Sequence, residues 1–193
     1  MHNKRVGVLL AAGHGRRFGG DKLLASLPDG TPIALAAAHA LRAGLGSVFP
    51  DAGLIAVLRP EQDVLAKLLE AEGFRIVHTA AAERGMGASL AAGIAATANA
   101  QGWIVALADM PWLQPDTVTV VARALQAGAT IAAPMVRGRR GHPVGFATNC
   151  GRELLQLDGD EGARALLTQY TVTAIECADE GALRDIDRPE DLS

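Results

Sequence analysis

Seven short apolar runs punctuate the chain, at residues 5–10, 54–58, 75–78, 103–108, 130–133, 144–147 and 172–175, without the polar alternation of a half-exposed strand. A continuous run of that length suits a strand covered on both faces. The segments between them carry helix punctuation. Thr31 and Pro32 offer a cap and a first-turn proline for a helix to about Ala43, ended by Gly44. A second helix runs from Gln62 to Glu72 and stops at Gly73, and a third opens at Gln114-Pro115 and closes at Gly128. Strand and helix therefore alternate, which predicts an α/β fold: a mostly parallel sheet with helices on both sides, three layers in all. In such a sheet the ligand sits beyond the carboxyl ends of the strands. The stretch 136–146, rich in glycine and charge, is the expected departure from the simple alternation.

With 193 residues, no low-complexity linker and no internal repeat, one domain spanning 1–193 is expected. Hydrophobic residues make up 49% of the chain but aromatic ones only 4%, so the core must be built from Ala, Val, Leu and Ile. The 21 acidic and 18 basic residues give a formal net charge of −3, with no basic block outside 16–22 and 137–140, which argues against nucleic acid as a partner. Cys150 and Cys177 are too far apart for a CxxC motif and suit a reducing compartment. The opening MHNKRVGVLL is too short an apolar run for a signal peptide, and no later run reaches a spanning length. A cytoplasmic protein that does not engage a membrane is expected.

The first apolar run empties into VGVLLAAGHGRRFGGDKLL, where the small residues Ala11, Ala12, Gly13 and Gly15 let backbone N–H groups approach an anion closely. Arg16, Arg17 and Lys22 follow within a dozen residues. Two better-known phosphate loops fail here. The dinucleotide fingerprint, counted from Gly13 and Gly15, needs glycine where Phe18 stands; a Walker A loop counted from Gly15 puts Asp21 at its lysine.

Asp109 follows the apolar run WIVALA and precedes Met110-Pro111, just past the carboxyl end of an expected buried strand. A carboxylate there either helps hold Mg²⁺, which takes one or two such ligands beside phosphate oxygens and water, or caps the turn before Pro111. Asp187, in DIDRPEDL, is placed where a strand-like 184–186 runs into a terminal helix near Pro189, and Asp185 and Asp191 compete with it for any metal role. In ERGMGASLAAGIAA, Gly85 and Gly87 precede Ser89 at the opening of an Ala-rich helix, a place that exposes amides and a hydroxyl to a bound group or simply caps and packs the helix. His142, beside Arg139 and Arg140, either meets an acceptor's phosphate or shapes the turn before Pro143. No His/Cys spacing suggests zinc, and Ser89 lacks the Gly-x-Ser-x-Gly elbow of a hydrolase.

Together these segments resemble the small nucleotidyltransferases of the molybdenum cofactor cytidylyltransferase type, relatives of the molybdopterin guanylyltransferases, over nearly the whole chain. The family's opening LAAG-x-(G/S)-x-R-M-G-x-x-K matches residues 10–22, with Phe18 in place of Met. GMG-x-SL-x-x-G stands at 85–93, D-M-P at 109–111, G-H-P-V at 141–144 and D-x-P-E-D-L at 187–192. The resemblance implies a Rossmann-like, glycosyltransferase-A-like nucleotidyltransferase fold. It implies that Arg17 and Lys22 bind the triphosphate, that Leu10, Ala11, Ala12, Gly13, Gly15, Gly87 and Ser89 enclose the nucleotide, and that Asp109 and Asp187 hold Mg²⁺. His142 would face the phosphate of molybdopterin. The guanylyl relatives carry LAGG, one more residue before the lysine and G-P-L-A-G; Ala12, the spacing to Lys22 and GMGAS depart toward the cytidylyl branch, hence CTP.

The implied reaction moves a nucleoside monophosphate from an NTP to the acceptor's phosphate and releases pyrophosphate, and a molybdoenzyme or its maturation chaperone would receive the product. Sugar- or polyol-phosphate nucleotidyltransferases share the loop and both aspartates, although the short C-terminal half has no sugar-binding extension. A nucleotide- or cofactor-binding chaperone without chemistry is the alternative from another class.

Overall fold

The structure, a computed structural model, describes residues 4–13, 15 and 18–192. All seven apolar runs form strands: β1 (Val6–Leu10), β2 (Gly53–Leu58), β3 (Arg75–His78), β4 (Gly102–Leu107), β5 (Ile131–Val136), β7 (Val144–Ala147) and β8 (Val172–Glu176). The two-residue β6 (Arg139–Arg140) lies between β5 and β7. The sheet runs β3-β2-β1-β4-β7-β5, with β8 on the other edge of β5 and β6 paired to the end of β5. β1 to β4 are mutually parallel, and β8 is parallel to β5. β7 is antiparallel to both β4 and β5, so 136–146 is the expected departure: a hairpin return, broken at Gly141 and His142, rather than a crossover.

Not every run is covered on both faces. β1 is buried throughout, whereas β3 is exposed at both ends and β8 at Thr173, Ala174 and Glu176, because they sit at edges. Their Arg75, His78 and Glu176 are the polar residues that an edge tolerates.

The pleat of β1 divides the interior. Leu9 packs with α1 (Ile33–Gly46), α2 (Asp63–Ala71) and α4 (Pro115–Gln126), while Val8 and Leu10 pack with α3 (Met86–Ala95), α5 (Gly151–Leu154) and α6 (Arg164–Gln169). This is the three-layer arrangement. It follows the strand order: β1, β2 and β3 step outward on one side, then β4 returns to the far side of β1. The reversal opens a crevice at the carboxyl ends of β1 and β4. No helix among the described residues is long and apolar enough to cross a membrane.

Two helix boundaries differ from expectation. Thr31 is not the cap of α1, whose N-cap is Pro32. Gly44 does not end α1 but lies within it, because a Cβ there would come within 2.3 Å of the Pro115 carbonyl oxygen and 2.5 Å of Val118 Cβ. It is the point of closest approach of α1 and α4. Gly44→Ala should therefore destabilise the fold by about 1–3 kcal/mol despite alanine's higher helix propensity, lowering the midpoint in thermal unfolding by roughly 2–10 °C. An unchanged midpoint would mean that the two helices separate freely. At the C-terminus no strand forms over 184–186; a single 3-10 turn, Pro189–Leu192, replaces the expected helix.

Candidate active site

Leu10 and Leu107 are register partners that end β1 and β4 side by side. The ladder continues one step, with Ala108 N–H donating to Leu10 O at 3.0 Å and Ala11 N–H to Val57 O at 2.9 Å. Asp109 follows at once, so its carboxylate stands at the rim of the crevice. Gly15 turns the loop with φ +55°, a conformation that favours glycine. The chain returns to place Lys22 at the start of a 3-10 turn, Lys22–Leu24.

Lys22 is only 8% exposed, and its Nζ donates to Asp109 Oδ2 at 2.9 Å and to Ile186 O at 2.6 Å. Ile186 N–H in turn donates to Asp109 O at 2.9 Å. The glycine loop, the end of β4 and the C-terminal segment are thus fastened at one point. The resemblance gives Lys22 to triphosphate and Asp109 to metal; in the structure each is the other's counter-ion. Arg17 lies outside the described residues, as does Arg16.

The three C-terminal aspartates separate by position. Asp187 lines the crevice. Asp185 is exposed and absent from its lining. Asp191 Oδ2 accepts the N–H groups of Arg188 at 2.8 Å and Asp187 at 2.9 Å, bonds that hold its carboxyl below the usual range.

The crevice encloses about 520 Å³, and Leu10, Ala11, Ala12, Gly13, Gly15 and Ser89 contribute to its wall. Ser89 lies one turn inside α3, with Oγ donating to Gly85 O at 3.2 Å. Gly87 is not on the wall: its N–H donates to Gly159 O at 2.8 Å, and a Cβ there would come within 2.7 Å of Asp158 O. The start of α3 is therefore closed by segment 158–162, which brings Asp160 to the crevice beside Glu83. Sequence reasoning did not find these two carboxylates. The glycine and acid alternation of DGDEG at 158–162 is the available signal for the first; Glu83 has none.

His142 faces a second cavity of about 250 Å³ that shares Leu10, Met86, Leu107 and Asp160 with the first. Arg140 and Arg164 also line it. His142 N–H donates to Ala182 O at 2.9 Å. Burial pushes the imidazole down to about 4, with Asp109 opposing and Arg140 assisting. At neutral pH it is uncharged and offers one donor and one acceptor.

Among the described residues on the larger wall, Lys22 is the single cation against Glu83, Asp109, Asp160 and Asp187. No group of three or more metal-ligating side chains occurs among the described residues. That donor set fits Mg²⁺, which uses one or two carboxylates and completes its shell with phosphate oxygens and water.

The family model described as "MobA-like NTP transferase domain" matches residues 7–174. The nicotine blue oxidoreductase of Paenarthrobacter nicotinovorans is 34% identical over 97% of this chain and 94% of its own. The purine catabolism protein PucB of Bacillus subtilis is 32% identical over 96% and 93%. Among solved structures, Rv0371c of Mycobacterium tuberculosis aligns with TM-score 0.82 and 27% identity, covering 99% of this chain and 96% of that one. A manganese complex of Rv0371c aligns with TM-score 0.73 and 25% identity, over 90% of this chain and 88% of that one.

Proposed function

We propose that this chain, which belongs to the MobA-like NTP transferase family, transfers CMP from CTP onto the phosphate of molybdopterin or the molybdenum cofactor, with Mg²⁺ as its metal. The carrying observation is the partly buried Lys22–Asp109 pair at the mouth of β1 and β4, beside the small-residue loop and Asp187 in one crevice. Four carboxylates stand on the described wall with Lys22, and bringing a polyanionic triphosphate beside them is favoured by added positive charge, which supports a divalent ion held by Asp109 and Asp187. When bound, Mg²⁺ supplies charge neutralisation for the triphosphate and the departing pyrophosphate.

The chain's own residues do the rest. An acceptor phosphate monoester, with a second pKa of about 6, is already ionised at neutral pH, so no strong general base is needed. Its oxygen attacks the α-phosphorus and the bond to the β-phosphate bridging oxygen breaks, releasing pyrophosphate. Lys22, the amides of the loop and, by the family resemblance, Arg17 meet the charge that develops. The second cavity, with Arg140, Arg164 and a neutral His142 as hydrogen-bonding group, is the proposed acceptor site.

CTP should be preferred over GTP. Ala12 and the buried Ser89 both line the crevice; small residues and one hydroxyl there suit a compact pyrimidine, the Ala12 methyl in place of the guanylyl relatives' glycine disfavours a purine, and such differences are worth about 1–3 kcal/mol, roughly ten- to hundredfold in kcat/KM. Pyrophosphate release with CTP, GTP, ATP and UTP, each against molybdopterin, molybdenum-loaded cofactor and several sugar and polyol phosphates, tests both substrates. A higher kcat/KM with GTP sinks the cytidylyl assignment. Turnover on a sugar or polyol phosphate alone replaces the acceptor, and NTP binding without release in any pair makes the chain a carrier. An arm with NADH or NADPH and nicotine blue tests the activity named for the Paenarthrobacter relative; the loop's departure from the dinucleotide fingerprint at Phe18 argues against it.

A further inference from the structure

We infer that Arg59 and Gln62, at the corner between β2 and α2, are positioning residues that fix the orientation of loop 11–13, resting on the nucleotide-binding role proposed above for that loop. Neither lines the crevice. They grip the loop from behind. Arg59 Nη1 donates to Ala12 O at 3.0 Å and to Gly13 O at 2.6 Å, and Gln62 Nε2 donates to Ala11 O at 3.1 Å. Three successive carbonyls are thus held by two side chains from one corner.

The direction of these bonds gives them their consequence. In a trans peptide the carbonyl of one residue and the N–H of the next point opposite ways. Pinning Ala11 O and Ala12 O toward the corner turns the N–H groups of Ala12 and Gly13 away from it. The same bonds keep carbonyl oxygens, which repel phosphate, off the nucleotide's side.

The corner is itself prepared for this task. Gln62 is 4% exposed and uses both ends of its amide, since its Oε1 accepts Arg59 N–H at 2.7 Å. Arg59, with its side chain 15% exposed, has Nε on Glu61 Oε1 at 2.6 Å, and Arg59 O is 3.1 Å from His78 Nδ1. Neither side chain needs to reorganise to hold the loop. A planar guanidinium can bond two adjacent carbonyls while engaging a third group; a lysine ammonium lacks that fixed fork.

The test uses nucleotide-free exchange and nucleotide binding in Arg59→Ala, Arg59→Lys and Gln62→Leu, with Arg75→Ala as comparator. Arg75 donates to Ala96 O at 2.9 Å and lines neither of the two cavities of the site. In Arg59→Ala, amide hydrogen exchange over 11–15 should accelerate by about tenfold or more while β1 to β4 keep their protection. The Kd of Mg²⁺-CTP should rise by roughly ten- to hundredfold, with the kinetic loss falling on KM more than on kcat. Arg59→Lys should recover part of both effects, Gln62→Leu should show the same pattern, and Arg75→Ala neither effect. Unaltered exchange over 11–15, or a Kd within about threefold of wild type, overturns the assignment. If Arg59→Ala does not fold, Arg59→Lys is held to the same two criteria at about threefold. Failure of the wild-type protein to bind any NTP would count against the proposed function instead, and the exchange measurement would still decide whether Arg59 fixes the loop.

Discussion

Asp109→Asn should lower metal-dependent pyrophosphate release by more than about a thousandfold, because the amide keeps the shape but not the charge that holds a divalent ion against a triphosphate. The Lys22 pair adds a second effect. The substituted amide would still accept a hydrogen bond from Lys22 Nζ, yet a cation that is 8% exposed would lose its only ionic partner among the described residues. Removing one member of a fully buried pair costs about 3–5 kcal/mol. Asp109's side chain is 26% exposed, so water and the retained hydrogen bond should reduce the cost to about 1–3 kcal/mol, or roughly 2–10 °C in the thermal midpoint. The variant should thus be folded, somewhat less stable and nearly inert. Single-turnover release measured across a Mn²⁺ or Mg²⁺ titration is the deciding experiment. Near-normal turnover at saturating metal would take Asp109 out of the metal site.

Much of the fold was legible because apolar runs in a parallel sheet carry no competing signal. The run 103–108 is uninterrupted, and β4 is buried on both faces. What composition did not reveal was direction: β7 looks like any other run, and its antiparallel course is fixed by the tight return through 137–143, where Arg137 and Gly138 take positive φ. Gly44 misled for a related reason. A glycine after an Ala-rich helix reads as a stop, but the demand for its missing Cβ comes from α4, some 70 residues away in the chain. Local sequence cannot report a steric demand made by a distant element.

The site divides along the same line. Residues at the ends of strands, such as Leu10 and Asp109, were readable because strand position fixes where they stand. Asp187 was left among three candidates, and the separation came from Ile186, whose N–H bonds Asp109 O and so draws its neighbour to the crevice while Asp191 is occupied as a cap. The residues alone allow Gly87 either to face a ligand or to pack the helix start, and only the resemblance gives it to the nucleotide; here Asp158 and Gly159 occupy that space. Arg59 and Gln62 carry no motif at all. Their importance lies in three carbonyls of a loop 46 to 51 residues earlier, and only the assembled corner brings them together.

Lys22→Met should lower turnover by roughly two to three powers of ten, the loss typical of one preorganised charge donor at a reacting phosphate. Methionine fills much the same volume, so the change isolates the ammonium rather than opening a cavity. In the structure that ammonium is satisfied by Asp109 Oδ2 and Ile186 O. An incoming triphosphate would present oxygens to the same nitrogen, leaving the Asp109 carboxylate available to a divalent ion. Two consequences distinguish this exchange of partners from a purely structural ion pair. First, Lys22→Met should bind Mn²⁺ more tightly than wild type without nucleotide, because the carboxylate is released from its internal cation while turnover falls. Second, the losses in Lys22→Met and Asp109→Asn should be strongly non-additive, the double variant turning over about as slowly as the worse single one, as expected for residues that act as a unit. A purely structural pair predicts a different pattern: stability changes in the single variants and is partly regained in the double one, while turnover per folded molecule changes little in any of the three. If the Kd for Mg²⁺-CTP and the single-turnover rate of Lys22→Met both stayed within about threefold of wild type, Lys22 would be a fastening of the C-terminal segment and nothing more.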